Sequence, residues 1–144
     1  PAPMIRFTVW TNSVGKSQGR NLGGSVVLVL DRTNQLLILK RPNWVSWAPG
    51  KWGLPGGKIE EGEAPKEAAV RETKEETTLA VHNLKNVTLP LDKGLHPFYT
   101  RSYTGQVVID AEHEEWVWVT RQEIEKYDLA PNILPMYDWV LKHG

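Results

Sequence analysis

The segment from Gly56 to Leu79, GGKIEEGEAPKEAAVRETKEETTL, constrains this chain more than any other, because it crowds seven glutamates into one short stretch. Pro65 suits the first turn of a helix, where its missing N–H costs no bond, and the pattern predicts a helix over 65–78. At about 100° per residue, Glu72, Glu75 and Glu76 then share roughly a third of the helix circumference. Glu72 and Glu76 are i,i+4 neighbours, where like charges cost a few tenths of a kcal/mol. Glu75 and Glu76 also lie in the last turn, where the helix dipole disfavours anions by roughly 0.3–1 kcal/mol each. Arg71, four residues before Glu75, offsets part of this. Such a helix is either a solvated acidic face, the usual fate of a charge run, or a ligand set. Two features favour the second: the acids sit at the unfavourable end, and the glycine-rich turn GLPGGK before them lets backbone approach closely. A carboxylate cluster beside free carbonyls is what a hard divalent cation such as Mg²⁺ requires, and its charge converts repulsion into ligation.

Around this helix the chain alternates between strand-like and helix-like segments, which predicts one α/β domain over residues 1–144, with Pro1 to Pro3 carrying no weight. Met4–Trp10 alternates as a strand. Gly24–Leu30 and Gln35–Lys40 flank the polar turn Asp31–Asn34 and read as a hairpin. Val107–Asp110 and Glu115–Val119 are further strands, the latter apolar on both faces and so expected inside a sheet. A second helix starts near Asn132, with Ile133, Met136, Tyr137 and Val140 at helical spacing. Thr120 and Glu123 have capping-box spacing and announce a short helical turn. Seventeen basic residues balance seventeen acidic ones, so no long nucleic acid bound through its backbone is expected. The absence of cysteine fits a reducing cytoplasm. The longest apolar run, Ser25–Leu30, is far too short to cross a bilayer, and the opening residues give no expectation of a signal peptide.

The glutamate segment resembles the Nudix box: Gly57, Glu63, Arg71, Glu72, Glu75, Glu76 and Leu79 stand at the spacing of its glycine, acidic, basic and aliphatic positions. It departs from the pattern at Thr73, where an aliphatic residue is usual, and at Thr78, which replaces a glycine after the helix. The resemblance implies an α/β/α sandwich with a mixed β-sheet between helices. It also implies hydrolysis of a nucleoside diphosphate linked to another moiety, with Mg²⁺ or Mn²⁺ as cofactor and a small nucleotide as partner. On that likeness Glu72 and Glu76 bind metal, helped by the Gly56 carbonyl. Glu75 is a ligand or helps deprotonate water, and Arg71 and Glu63 hold the helix and loop in place. ADP-ribose or a dinucleoside polyphosphate is the favoured kind of substrate. The alternatives are a nucleoside triphosphate pyrophosphatase and a binding module without catalysis.

Outside the box, Ala111–Ile124 resembles the segment where many such enzymes keep a further glutamate, for which Glu112 is the first choice and Glu115 the reserve. Trp44, Trp47 and Trp52 fall in a proline- and glycine-rich loop. Trp44 and Trp47 are candidates for stacking on a base, whereas Trp52 reads as packing. Arg41 and Lys58 are candidate phosphate contacts or surface charges. Asn132 is either a reader of the base or simply the N-cap of its helix. Among the histidines only His113 falls near the implied metal site. The alternation of Met4–Trp10 would also suit strand pairing between two copies across a two-fold axis.

Overall fold

The computed structural model describes residues 22–92 and 94–144. The Met4–Trp10 strand and its dimer pairing lie outside them. The described elements run β1 Gly24–Val29, β2 Leu36–Lys40, β3 Trp52–Gly53, β4 Gly56–Lys58, α1 Pro65–Thr77, β5 Ala80–His82, β6 Lys85–Asn86, β7 Leu95–Thr100, β8 Ser102–Thr104, β9 Glu115–Val119 and α2 Ile133–His143. One mixed sheet has the order β4-β1-β7-β6, with β1 parallel to β7; a second has the order β3-β2-β9, and β5 pairs with β8.

The layering follows from period-two alternation in the two most apolar strands. Leu28 and Leu30 of the first run, with Leu36 and Ile38 of the second, face a core shared with Ile133, Met136, Tyr137 and Val140 of α2. Val27, Val29, Leu37 and Leu39 face the opposite core, together with Ala69 of α1, Leu79 and Phe98. Both sheets thus form one middle layer between α1 and α2, the expected α/β/α sandwich.

Three expectations need correction. The Gly24–Leu30 and Gln35–Lys40 runs are not a hairpin ladder: they join only at the Leu30–Leu36 bridge and belong to different sheets. β1 has both edges taken, by β4 and β7, and β2 has both taken by β3 and β9. Val107–Asp110 is not a strand. Its N–H groups instead meet the unsatisfied carbonyls at the end of α1, Val108 donating to Thr77 and Asp110 to Glu76. Finally, β9 lies at a sheet edge rather than inside, and Trp116 is 42 % exposed.

The helical termini carry further detail. Thr73, at the aliphatic position of the box, is fully buried and donates its hydroxyl to the Ala69 carbonyl, so its polarity is satisfied inside α1. Thr78 takes the left-handed conformation that the missing glycine would have taken, at φ 62°. The same backbone cap therefore forms with a Cβ that disfavours it. The Thr120–Glu123 box forms reciprocally, each backbone N–H donating to the other's side chain at 3.1 Å, and opens a 3₁₀ turn at Glu123–Lys126.

Candidate active site

The site is built where α1 crosses the β4 end of the mixed sheet. Gly57 pairs with Ser25 of β1, and a Cβ on it would stand 2.5 Å from the Glu72 carboxyl carbon. The glycine is thus the space that the carboxylate occupies. One residue earlier, the Gly56 N–H donates to Glu76 Oε1 at 3.0 Å, so consecutive residues of β4 seat the two glutamates of one helix face. Both are buried, Glu72 at 1 % and Glu76 at 0 % exposure.

A third acid joins them from outside the helix. Glu112, also fully buried, lies on the segment tied to the α1 terminus, and both Glu76 and Glu112 act on the charge of Arg41. Arg41 is itself buried, against the surface-charge alternative. Its Nε donates to the Trp47 carbonyl at 2.8 Å, and its guanidinium sits 4.9 Å from the Trp47 ring centroid. Burial lowers its pKa to about 10, against the opposing pull of Glu76 and Glu112. Glu76 shifts the other way: burial, then the neighbouring charge of Glu72, push its carboxyl well above the ordinary carboxylate range, while the Gly56 N–H partly restrains it.

Arg71 ties the approach loop to the helix. It grips Glu63 with two bonds of 2.7 and 2.9 Å, Glu72 at 2.9 Å and the Lys58 carbonyl at 3.0 Å, and lies 3.5 Å from Glu75. The Glu63 bond raises the pKa of Arg71 and lowers that of Glu63, so the pair stays charged. Glu75 stands apart from the buried acids, with its side chain 39 % exposed.

The donor set is all oxygen, which suits a hard divalent cation. Glu72, Glu76 and Glu112 bring buried carboxylate oxygens to it. Among the described residues no three His, Cys, Asp or Glu side chains form a ready-made cage.

Beside Gly56 lies a small cavity of ≈ 40 Å³, walled by Val26, Trp47, Leu54, Asn132, Ile133 and Met136 among others. Asn132 is not a side-chain N-cap. It takes a left-handed conformation, φ 73°, makes no side-chain cap bond, and lines the cavity. Of the loop tryptophans, Trp47 lines the cavity, Trp44 is 55 % exposed away from it, and Trp52 packs edge-on against Tyr127 at 5.1 Å. Lys58 is half-buried and does not line the cavity, and Glu115 is exposed on β9.

Asp110 joins the site without a motif to announce it, and brings His113, which the sequence places near the metal site, with it. Asp110 Oδ1 accepts the Glu112 N–H at 3.2 Å and lies 2.8 Å from Nδ1 of the buried His113. The signal in the sequence is only an aspartate placed to bond its own backbone two residues on, a common turn device.

A family model for the NUDIX domain matches residues 20–140. An uncharacterized Nudix hydrolase of Bacillus subtilis, YvcI, is 32 % identical over 125 residues, covering 79 % of this chain and 76 % of its own. The CTP pyrophosphohydrolase of Escherichia coli is 28 % identical over 120 residues, covering 78 % and 87 %. A crystal structure of a MutT NUDIX hydrolase from Burkholderia pseudomallei superposes with a TM-score of 0.69 at 22 % identity, over 86 % of this chain and 99 % of that one, a likeness of fold.

Proposed function

This chain belongs to the Nudix family of hydrolases, and on that premise we propose that Glu72, Glu76 and Glu112 are the working acids of a nucleotide pyrophosphohydrolase. The observation that carries the reading is the burial of three carboxylates, one of them with its pKa raised by that burial and then by its neighbour Glu72. Burying like charges is costly unless something compensates them. Arg41 and Arg71 offset part of that charge, and a divalent cation would offset more.

Glu72, Glu76, Glu112 and the Gly56 carbonyl would hold Mg²⁺ or Mn²⁺, which supplies charge neutralisation for phosphate oxygens and a bound water of lowered pKa. The chain's own residues do the rest. Arg71 and Glu63 keep α1 and the loop before it in register, so the carboxylates do not drift. Glu75, the acid that solvent reaches, takes the proton from the attacking water. Trp47 and Asn132 receive the base, the ring by stacking and the amide by hydrogen bonds to its edge. At ≈ 40 Å³ the cavity is far below the roughly 300 Å³ of a typical ligand site, so it receives only part of the base. Arg41, and more remotely Lys58, meet phosphate oxygens as they enter.

The substrate is a nucleoside diphosphate linked to a second moiety. The tryptophan-rich loop supports ADP-ribose and dinucleoside polyphosphates less than its composition suggests, because only Trp47 borders the cavity. A second reading, a nucleoside triphosphate pyrophosphatase, draws on the uncommitted Asn132 amide and on the E. coli relative named for CTP.

A panel of ADP-ribose, dinucleoside polyphosphates, CTP, and ordinary and oxidised dGTP tests this, each with Mg²⁺, with Mn²⁺, with chelator, and with Glu76→Gln. Metal-dependent turnover that the substitution cuts by several orders of magnitude is the expected result. Folded protein that turns over no member would instead identify a nucleotide-binding module.

A further inference from the structure

We propose that Asp110 is a positioning residue, whose carboxylate fixes Glu112 in the acid cluster. The inference rests on the working role given to Glu112 above. Glu72 and Glu76 are placed by helix geometry, but Glu112 belongs to the segment 105–114, which is neither helix nor strand. Its complete burial therefore needs another cause.

Asp110 is the hub of that segment. Its N–H donates to the Glu76 carbonyl, which anchors it to the end of α1, and its carbonyl accepts the His113 N–H. Its Oδ1 then accepts the Glu112 N–H at 3.2 Å and holds the His113 ring through Nδ1 at 2.8 Å. Past the turn, the Glu114 N–H donates to the Lys40 carbonyl beside Arg41. The turn bearing Glu112 is thus clasped between the strand that leads to Arg41 and the helix that carries Glu76. Asp110 supplies the side-chain part of the clasp, and an acceptor at Oδ1, rather than a charge, is what this role requires.

That distinction makes the proposal testable. Asp110→Ala removes the acceptor, while Asp110→Asn keeps it and removes the charge that bears on Glu76. Asp110→Ala lowers kcat by about 10–100-fold with KM nearly unchanged, whereas Asp110→Asn stays within about threefold of the parent. On a Glu112→Gln background Asp110→Ala adds less than about twofold, since both changes act through one group. Independently of activity, Asp110→Ala speeds hydrogen exchange at the Glu112 amide and leaves the α1 interior protected. Asp110→Ser repeats the series should the alanine variant not fold.

Full additivity with Glu112→Gln, or an asparagine variant as impaired as the alanine one, overturns the proposal. Parent-level turnover in Glu112→Gln alone would remove the role of Glu112 itself, and the clasp with it. That outcome is read from the single variant, before the pair is compared.

Discussion

The helix α1 and the stretch 41–53, which holds the loop after β2 and the short β3, border the same site, yet they yield to reading very differently. On α1, positions four apart meet, so the place of Glu76 follows once that of Glu72 is known. In that stretch, three tryptophans of identical chemistry have three fates: Trp44 exposed, Trp47 on the cavity wall, Trp52 of β3 packed on Tyr127. A regular element converts spacing into geometry, whereas a loop takes its geometry from what it touches. Arg41 illustrates the second case, since the Trp47 carbonyl and ring set where its guanidinium rests.

The strongest way to break this contrast is through the helix. Glu76→Gln is expected to lower kcat by about a thousandfold or more in steady-state assays with Mg²⁺, because it removes a carboxylate that would hold the cation facing the phosphates. Near-parent turnover would mean that the spacing on α1 has been given a role it does not have. Gly57→Ala is next, at about a hundredfold. Its Cβ would meet the Glu72 carboxylate at 2.5 Å and must push it aside, with a stability cost of about 1–3 kcal/mol measured by denaturant titration.

A pH experiment sharpens the same point. The folded-state pKa of Glu76 is raised, so the stability it contributes is present below the ordinary value of 4.5 and is lost as pH rises through the raised one. In chelator at pH 8, Glu76→Gln should therefore melt no lower than the parent, and the advantage should vanish in acid. Added Mg²⁺ should reverse the order at pH 8. An unchanged order would show that the burial of Glu76 is not compensated by a cation.

The loop predicts smaller, divided effects. Trp52→Ala costs about 2–3 kcal/mol of stability through lost packing and leaves KM unchanged. Trp47→Ala does the converse, raising KM about tenfold or more, in line with roughly 1–3 kcal/mol for stacking on a base. Trp44→Ala changes neither. Equal effects from Trp44 and Trp47 would erase the distinction that the fold draws between them.

Much of the molecule was legible beforehand because its signals are local. The apolar alternation of Val26–Leu30 and Leu36–Leu39 sorts side chains to two faces without knowledge of strand partners. Pro65 begins α1 and Thr120–Glu123 closes its own turn, each by bonds within a few residues. Partner choice was not legible. Adjacent runs joined by a polar turn look like a hairpin, and only competition from β4, β7, β3 and β9 separates them. The Val107–Asp110 run has strand-like residues, but the open carbonyls of Glu76 and Thr77 claim its N–H groups first.

The sequence alone determined the carboxylate helix, its glycine turn and the chemistry they suit, because a fixed rise and rotation per residue turn spacing into position. The tertiary structure decided how those groups are completed. It buried Arg41 among acids, set Asn132 in a cavity wall without a side-chain cap bond, and brought Glu112 from nearly forty residues away to Glu76 through Asp110. Such contacts depend on which surfaces meet when the layers close, and no local periodicity encodes that.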